Sequence, residues 1–268
     1  TNFNLGHNRN KVLEVAAATP DALAGGFGDT RAIEGEALNT NFIIVYAGLD
    51  AETGRPLYEE VDPETGEPTG NLIFQYREAF DRQVVGNGFP SVFGGLNNTF
   101  KWGRFDLSVF FVYSFGGQIY DDAAKRQLGV VSINNEGAWN MRRDLIGNYW
   151  QQPGDQTMFP RLTLDPATYG LNGIWNHNHT NWLESADYVR LRTLTFGYNI
   201  PIRSSFISRF RVYFTGQNLL TFTNYSGWDP EVARERTNPQ ERNVGGTNVT
   251  FLTPPQERVY MFGLDIDF

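Results

Sequence analysis

Hydrophobic and polar positions alternate along the stretch Glu257 to Phe268 with the two-residue period of a β-strand. Tyr260, Phe262, Leu264, Ile266 and Phe268 share one face, and Met261, Gly263, Asp265 and Asp267 share the other. A soluble strand can alternate in this way. A transmembrane strand fits better, because its outer face meets lipid and its ends carry aromatic girdles, as Phe268 would. The stretch therefore predicts the closing strand of a membrane-spanning barrel, with those five apolar residues facing lipid.

The same period recurs upstream. Phe89 to Trp102 and Phe105 to Gly116 predict a hairpin closed at Trp102-Gly103-Arg104, where Gly103 can take positive φ. In its second arm Phe105, Leu107, Val109, Phe111, Tyr113 and Phe115 face one way, against Asp106, Ser108 and Ser114. Asp187 to Ile200 repeats the pattern with Leu194, Phe196, Tyr198 and Ile200 outward and Thr193, Thr195, Gly197 and Asn199 inward. Arg190 and Arg192 break it, which predicts a bulge or a segment standing above the bilayer. Pro201 ends that strand, and 203–209 makes a turn. Arg211 to Phe222 returns, but its alternation is too poor to assign faces. With Phe3 to Leu13, Asn39 to Ala47 and Leu72 to Tyr76, eight strands are expected.

Between them lie long connections. Ala16 to Gly35 is small, glycine-rich and aperiodic. Asp50-Ala-Glu-Thr-Gly54-Arg-Pro56 is echoed by Asp62-Pro-Glu-Thr-Gly66-Glu-Pro68, an internal repeat read as two tight turns bracketing Leu57 to Val61. Oxygen ligation of calcium near Asp62 is the sharper reading, though the spacing is not that of an EF-type loop. Gln118 to Trp182 is too long for a turn, and Ile119 to Leu128 and Glu136 to Trp150 have helical spacing. Thr223 to Gln256 is a second long polar loop. Long loops belong outside such barrels and short turns to the periplasm, which fixes strand direction.

Composition narrows the classes. The net charge of −8 argues against a nucleic-acid partner. With no cysteine there is no disulfide framework and no thiolate metal site. No apolar run reaches the length of a membrane helix, a filter that barrels escape because half of each strand faces a polar lumen. The chain begins at Thr1 in a stretch that already reads as strand, as expected of the later part of a longer protein.

Candidate chemistry is sparse. His177 and His179 flank Asn178 in a loop, offering at most two metal ligands with no third suggested, so loop polarity is the plainer reading and no metal or other cofactor is expected. No nucleophile elbow occurs. Asp229-Pro-Glu231 pairs two carboxylates, read as a turn packed beneath Trp228 rather than as a glycosidase pair. No catalytic residue is assigned and the chain is not expected to be an enzyme. Trp139, Trp150, Trp175, Trp182 and Trp228 could contact a substrate or a partner, or fill loop cores.

The stretch Gly216-Gln-Asn-Leu-Leu-Thr-Phe-Thr-Asn-Tyr-Ser-Gly-Trp-Asp-Pro-Glu-Val232 resembles the C-terminal signature of the SusC/RagA family of TonB-dependent outer-membrane transporters. Val84-Val-Gly-Asn-Gly-Phe-Pro90, Phe105-Asp-Leu-Ser with Gly117-Gln-Ile-Tyr120, Asp187 to Pro201, and Tyr260 to Phe268 agree in the family's order. The resemblance implies an all-β, antiparallel transmembrane β-barrel segment, residues 1–268 supplying about the last eight strands of a plugged barrel of about 22 strands. Its long extracellular loops would contain short helices, and the plug and earlier strands would lie elsewhere. It implies import of oligosaccharide or peptide nutrients across the bacterial cell outer membrane. The implied partners are a SusD-like surface lipoprotein, the TonB complex acting through the plug region, the remaining strands of the same barrel, and outer-membrane lipid. An alternating Asp/Asn run common in the family is here reduced to Asp62, Glu64 and Gly66. Two rivals stay open: a structural SusC-like subunit of a larger outer-membrane assembly, and a soluble glycan-binding β-sandwich.

Overall fold

The computed structural model describes residues 1–15, 30–128, 141–162, 178–203, 205–231, 249–251 and 253–268. The chain runs through β1 (Asn2–His7), β2 (Thr30–Arg31), β3 (Thr40–Ile44), β4 (Tyr46–Leu49), β5 (Pro56–Val61), β6 (Pro68–Ile73), β7 (Arg82–Asn87), β8 (Val92–Trp102) and β9 (Phe105–Phe115). It continues through β10 (Gln118–Asp121), helix α1 (Asp122–Leu128), β11 (Leu183–Ser185), β12 (Tyr188–Ile200), β13 (Arg209–Thr223), β14 (Val249–Thr250) and β15 (Val259–Asp267).

The long strands assemble into one antiparallel sheet of six, in the order β1-β8-β9-β12-β13-β15. Its connections are unequal. At one end β8 and β9 meet through Gly103-Arg104, pairing Trp102 with Phe105, and β12 and β13 are joined by 201–208. At the other end run 8–91, 116–187 and 224–258. We refer to these as the turn end and the loop end. Six of the eight expected strands lie in this sheet. Asn39 to Ala47 instead splits between β3 and β4, and Leu72 to Tyr76 contributes only the end of β6, all within the loop end.

The loop end is a cap with its own core. Three small sheets build it, β2-β3-β7, β4-β5-β6 and β11-β10-β14. Ile43, Tyr120, Leu128, Leu145, Phe159 and Trp182 are buried together there, with Val249 and Ala124. The expected helix over 119–128 begins later, because Ile119 to Asp121 pair as β10 with β11 and β14. The Asp121 carboxylate then accepts the Ala124 amide at 2.8 Å, capping α1. Of Glu136 to Trp150, the part up to 140 lies outside the described residues, and the rest holds one 3-10 turn, Arg143–Leu145.

The six-stranded sheet is a single layer. Among the described residues no second sheet covers either of its faces, and large apolar side chains stand exposed along it, Phe262 at 85% and Trp102 at 83%. A β-sandwich would bury one such face against its partner sheet. Among the described residues the sandwich expected as a rival does not form.

Candidate functional site

The register of the sheet sets out two unlike faces. On the first, Phe210, Val212 and Phe214 of β13 lie opposite Ile266, Leu264 and Phe262 of β15. They also lie opposite Ile200, Tyr198 and Phe196 of β12, of which Tyr198 and Phe196 meet Phe105 and Leu107 of β9. Trp102 and Phe100 of β8 extend the row, and Phe3 and Leu5 stand exposed on β1. Neighbouring rings touch at 5.2 Å between Phe214 and Phe262 and at 5.7 Å between Phe105 and Phe196. Tyr260, Phe262, Leu264, Ile266 and Phe268 are all exposed. The result is a row of exposed apolar side chains running across neighbouring strands, the kind of surface that marks an interaction face.

The second face carries the sheet's charged and hydroxyl side chains, with Phe93, Phe110, Val112, Tyr213 and Met261 among them. Arg211 on β13 donates to the Asp265 carboxylate on β15 at 2.8 Å and, through Nε and Nη2, to the Asp106 carboxylate on β9 at 2.9 and 2.6 Å. Its side chain crosses β12 over Gly197, where a Cβ would lie 2.4 Å from Nη2. A two-pronged guanidinium–carboxylate bond is among the stronger polar contacts available. One side chain thus ties three strands near the turn end. Thr195 and Thr215 share a hydroxyl bond at 3.0 Å further along this face.

Nearer the loop end both β12 pairings slip between Leu191 and Thr193, leaving Arg192 at a bulge. Opposite it Asn218 takes φ of 52° and accepts from Arg192 at 3.2 Å. This bulge explains both the arginine break in β12 and the poor alternation of β13. The arginines here are held by the turn the sequence marked at Asp229-Pro-Glu231. Arg190, 1% exposed, donates to Asp229, Arg192 donates to Glu231, and Arg190 lies 3.3 Å from Glu231. The carboxylates therefore serve the loop's attachment. Burial acting alone would raise the Asp229 pKa, but bonds from Arg190 and from the Gln256 and Glu231 amides hold it below the ordinary carboxylate value.

Beside this attachment is a cavity of about 320 Å³, lined by Asp121, Met141, Arg142, Tyr225, Trp228 and Thr250 among others. Tyr225 bonds the Thr250 hydroxyl at 2.9 Å, and burial pushes its phenol above the usual range, so it remains a neutral group. Trp228 stands at the rim, 70% exposed. Trp150 and Trp182 are buried instead: Trp182 lies in the cap core, and the Trp150 indole donates to the Ala51 carbonyl at 2.7 Å. Trp139, Trp175 and His177 lie outside the described residues. His179 is buried among Tyr46, Tyr58 and Trp182, and no cluster of metal-ligating side chains occurs among the described residues.

Nothing in the sequence signalled the Arg211 brace except the alternation itself, which put Asp106 and Asp265 on one face without showing that they converge. The cavity had no local signature, since its walls come from four separate stretches of the chain.

Comparison with known proteins sets this geometry beside TonB-dependent receptors. No family model matches the chain. TonB-dependent receptor P3 of Formosa agariphila is 29% identical over 284 residues, covering 100% of the chain and 26% of that receptor. TonB-dependent receptor P39 of the same organism is 29% identical over 210 residues, covering 74% of the chain and 19% of that receptor. Among solved structures, the RagAB peptide importer in its open-open state superposes with a TM-score of 0.73 at 23% identity, over 99% of the chain and 26% of the importer chain. The chain thus spans about a quarter of the length of relatives such as P3.

Proposed function

We propose that this chain, a stretch of a TonB-dependent receptor of the SusC/RagA kind, forms part of the wall of an outer-membrane importer for oligosaccharide or peptide. The observation that carries the reading is the six-stranded single-layer sheet, apolar and exposed on one face and carrying the charged and hydroxyl side chains on the other. Lipid is the environment that stabilises such a surface, at about 25 cal/mol for each Å² of apolar area kept from water. The apolar face, from Phe3 and Leu5 across to the five aromatic and aliphatic residues of 260–268, would meet outer-membrane lipid. The other face, with Arg211, Asp106 and Asp265, would line the lumen.

Orientation follows from the unequal connections. Short turns belong to the periplasmic side and long excursions to the cell surface, so the cap would lie outside the cell. Each edge of the sheet, β1 and β15, lacks a neighbour among the described residues. Unpaired backbone groups in hydrocarbon cost several kcal/mol each, by general estimate. Those edges would be paired by the other strands of the same barrel.

In the mechanism this implies, nutrient is captured between the cap and a SusD-like lipoprotein lid, then released inward when the TonB complex pulls on a plug. This chain's share is wall, outer loops and part of the capture surface. Among the described loop tryptophans, Trp228 is exposed at the rim of the cavity and would be the one to touch cargo or lid.

The test is a heat-modifiability gel on the native complex extracted in detergent, with mass spectrometry of each band. The expected result is a compact, heat-labile species containing this sequence within a large barrel, accompanied by a surface lipoprotein. Recovery of the sequence in a soluble, detergent-independent form would overturn the reading.

A further inference from the structure

The internal repeat folds twice into the same turn, and the described residues occupy only one copy. In the first, the Asp50 amide donates to Arg55 at 2.9 Å and the Gly54 amide to Asp50 at 2.8 Å. In the second, Asp62 donates to Glu67 at 2.9 Å and Gly66 to Asp62 at 2.8 Å. Gly54 and Gly66 both take positive φ, 67° and 74°. The two turns are one design in duplicate.

Their surroundings differ. Against the first turn lies the Trp150 indole, so close to Gly54 that a Cβ there would be 2.4 Å from the ring. The indole N–H donates to Ala51 O at 2.7 Å, and the Gly154 amide donates to the same carbonyl at 2.9 Å. Arg161 lies over the indole at 4.9 Å and donates its amide to Gly54 O at 3.3 Å. The visitor is therefore an indole with a guanidinium stacked on it, read partly through backbone carbonyls.

The second turn keeps every feature this visitor uses. Pro63 replaces Ala51 and still offers its carbonyl, and Gly66 still lacks the Cβ that would block a ring. Yet no described atom comes within 4 Å of a Cβ position at Gly66, and Pro63 to Thr69 are all exposed. Arg55 of the first copy becomes Glu67, so the second turn carries Asp62, Glu64 and Glu67 with no cation of its own. It also leads into β6, whose outer edge has no neighbouring strand among the described residues.

We infer that the turn Asp62 to Pro68 is a docking point for a loop of another protein that presents a tryptophan with an arginine beside it. Charge also favours that visitor, since the acidic tip suits the guanidinium better than the occupied copy does. The turn belongs to the cap, so in the assembly proposed above, on which this identification of the partner rests, the visitor is a loop of the lipoprotein lid.

The experiment uses the full-length receptor in detergent and measures its dissociation constant for the lid lipoprotein. Glu64→Lys with Glu67→Lys should weaken lid binding by about tenfold or more, whereas Glu52→Lys in the occupied copy should leave it unchanged. A synthetic peptide of residues 149–161 should compete with the lid, and the same peptide carrying Trp150→Ala should not. Lid binding that is indifferent to the double variant overturns the docking point and leaves the import reading standing. Weakening without peptide competition also overturns it, because bare charge then suffices. If no lid binds the unaltered receptor, the lid-assisted import reading itself fails and takes this inference with it.

Discussion

Arg190 is a fully charged side chain that is almost completely removed from solvent, and its stability depends on two carboxylates from a distant loop. Removing one partner of a buried pair costs about 3 to 5 kcal/mol. Asp229→Asn should fall at the low end, about 3 kcal/mol, since Glu231 remains within reach of the guanidinium. The loss should show as easier proteolysis of 224–231 and a lower unfolding midpoint. Acid should act on the same contact. Because the Asp229 pKa is depressed in the folded state, its contribution is complete above the ordinary value of 3.8 and disappears as pH falls through the lower folded value. An acid-triggered change in Trp228 fluorescence that is missing from Asp229→Asn would verify the assignment. At this scale the sequence was half legible. The arginine break announced a bulge, but the carboxylates that neutralise it lie 39 positions away, a separation that no local pattern reports.

Strands were the most legible elements. Those of the six-stranded sheet alternate over long spans, and a two-residue period sustained that far has few other readings. β13 was the exception, because the turn of Asn218 into positive φ shifts its upper half out of phase. Short strands such as β3 and β6 were recognisable as apolar runs, but a run of five or six residues carries no information about which sheet it joins. The helix over 119–128 was overestimated because β10 takes the first part of its apolar spacing for pairing. The faces of β15 make the element-level prediction. Leu264→Arg should cost about 2 to 4 kcal/mol if the site lies near the bilayer midplane, scored by the folded fraction on lipid vesicles. Asp265→Asn should be mild, since Arg211 keeps both of its bonds to Asp106. Equal losses would reverse the face assignment.

Among its described residues the molecule divides into a thin sheet without a core of its own and a cap that has one. Trp150→Ala should cost about 3 to 5 kcal/mol, and the loss should be confined to the cap. Hydrogen exchange should quicken in 46–61 and 148–161 while β9, β12 and β13 keep their protection; quickening across both would show that the two parts open together. The division was only partly visible beforehand. Loop tryptophans look alike in a sequence, and it took the fold to place Trp182 in a core, Trp150 under a turn and Trp228 at a rim.

The Arg211 brace gives the sheet a gradient of mechanical stiffness. Near the turn end, sliding any of β9, β13 or β15 along its neighbours must stretch charged bonds that meet on one guanidinium. Near the loop end the hydrogen-bond ladder is already interrupted at Arg192, so bending there meets less resistance. The sheet would therefore behave like a reed clamped at its base: rigid where Arg211 grips it, and compliant toward the cap wherever the Arg190 and Arg192 ion pairs let go.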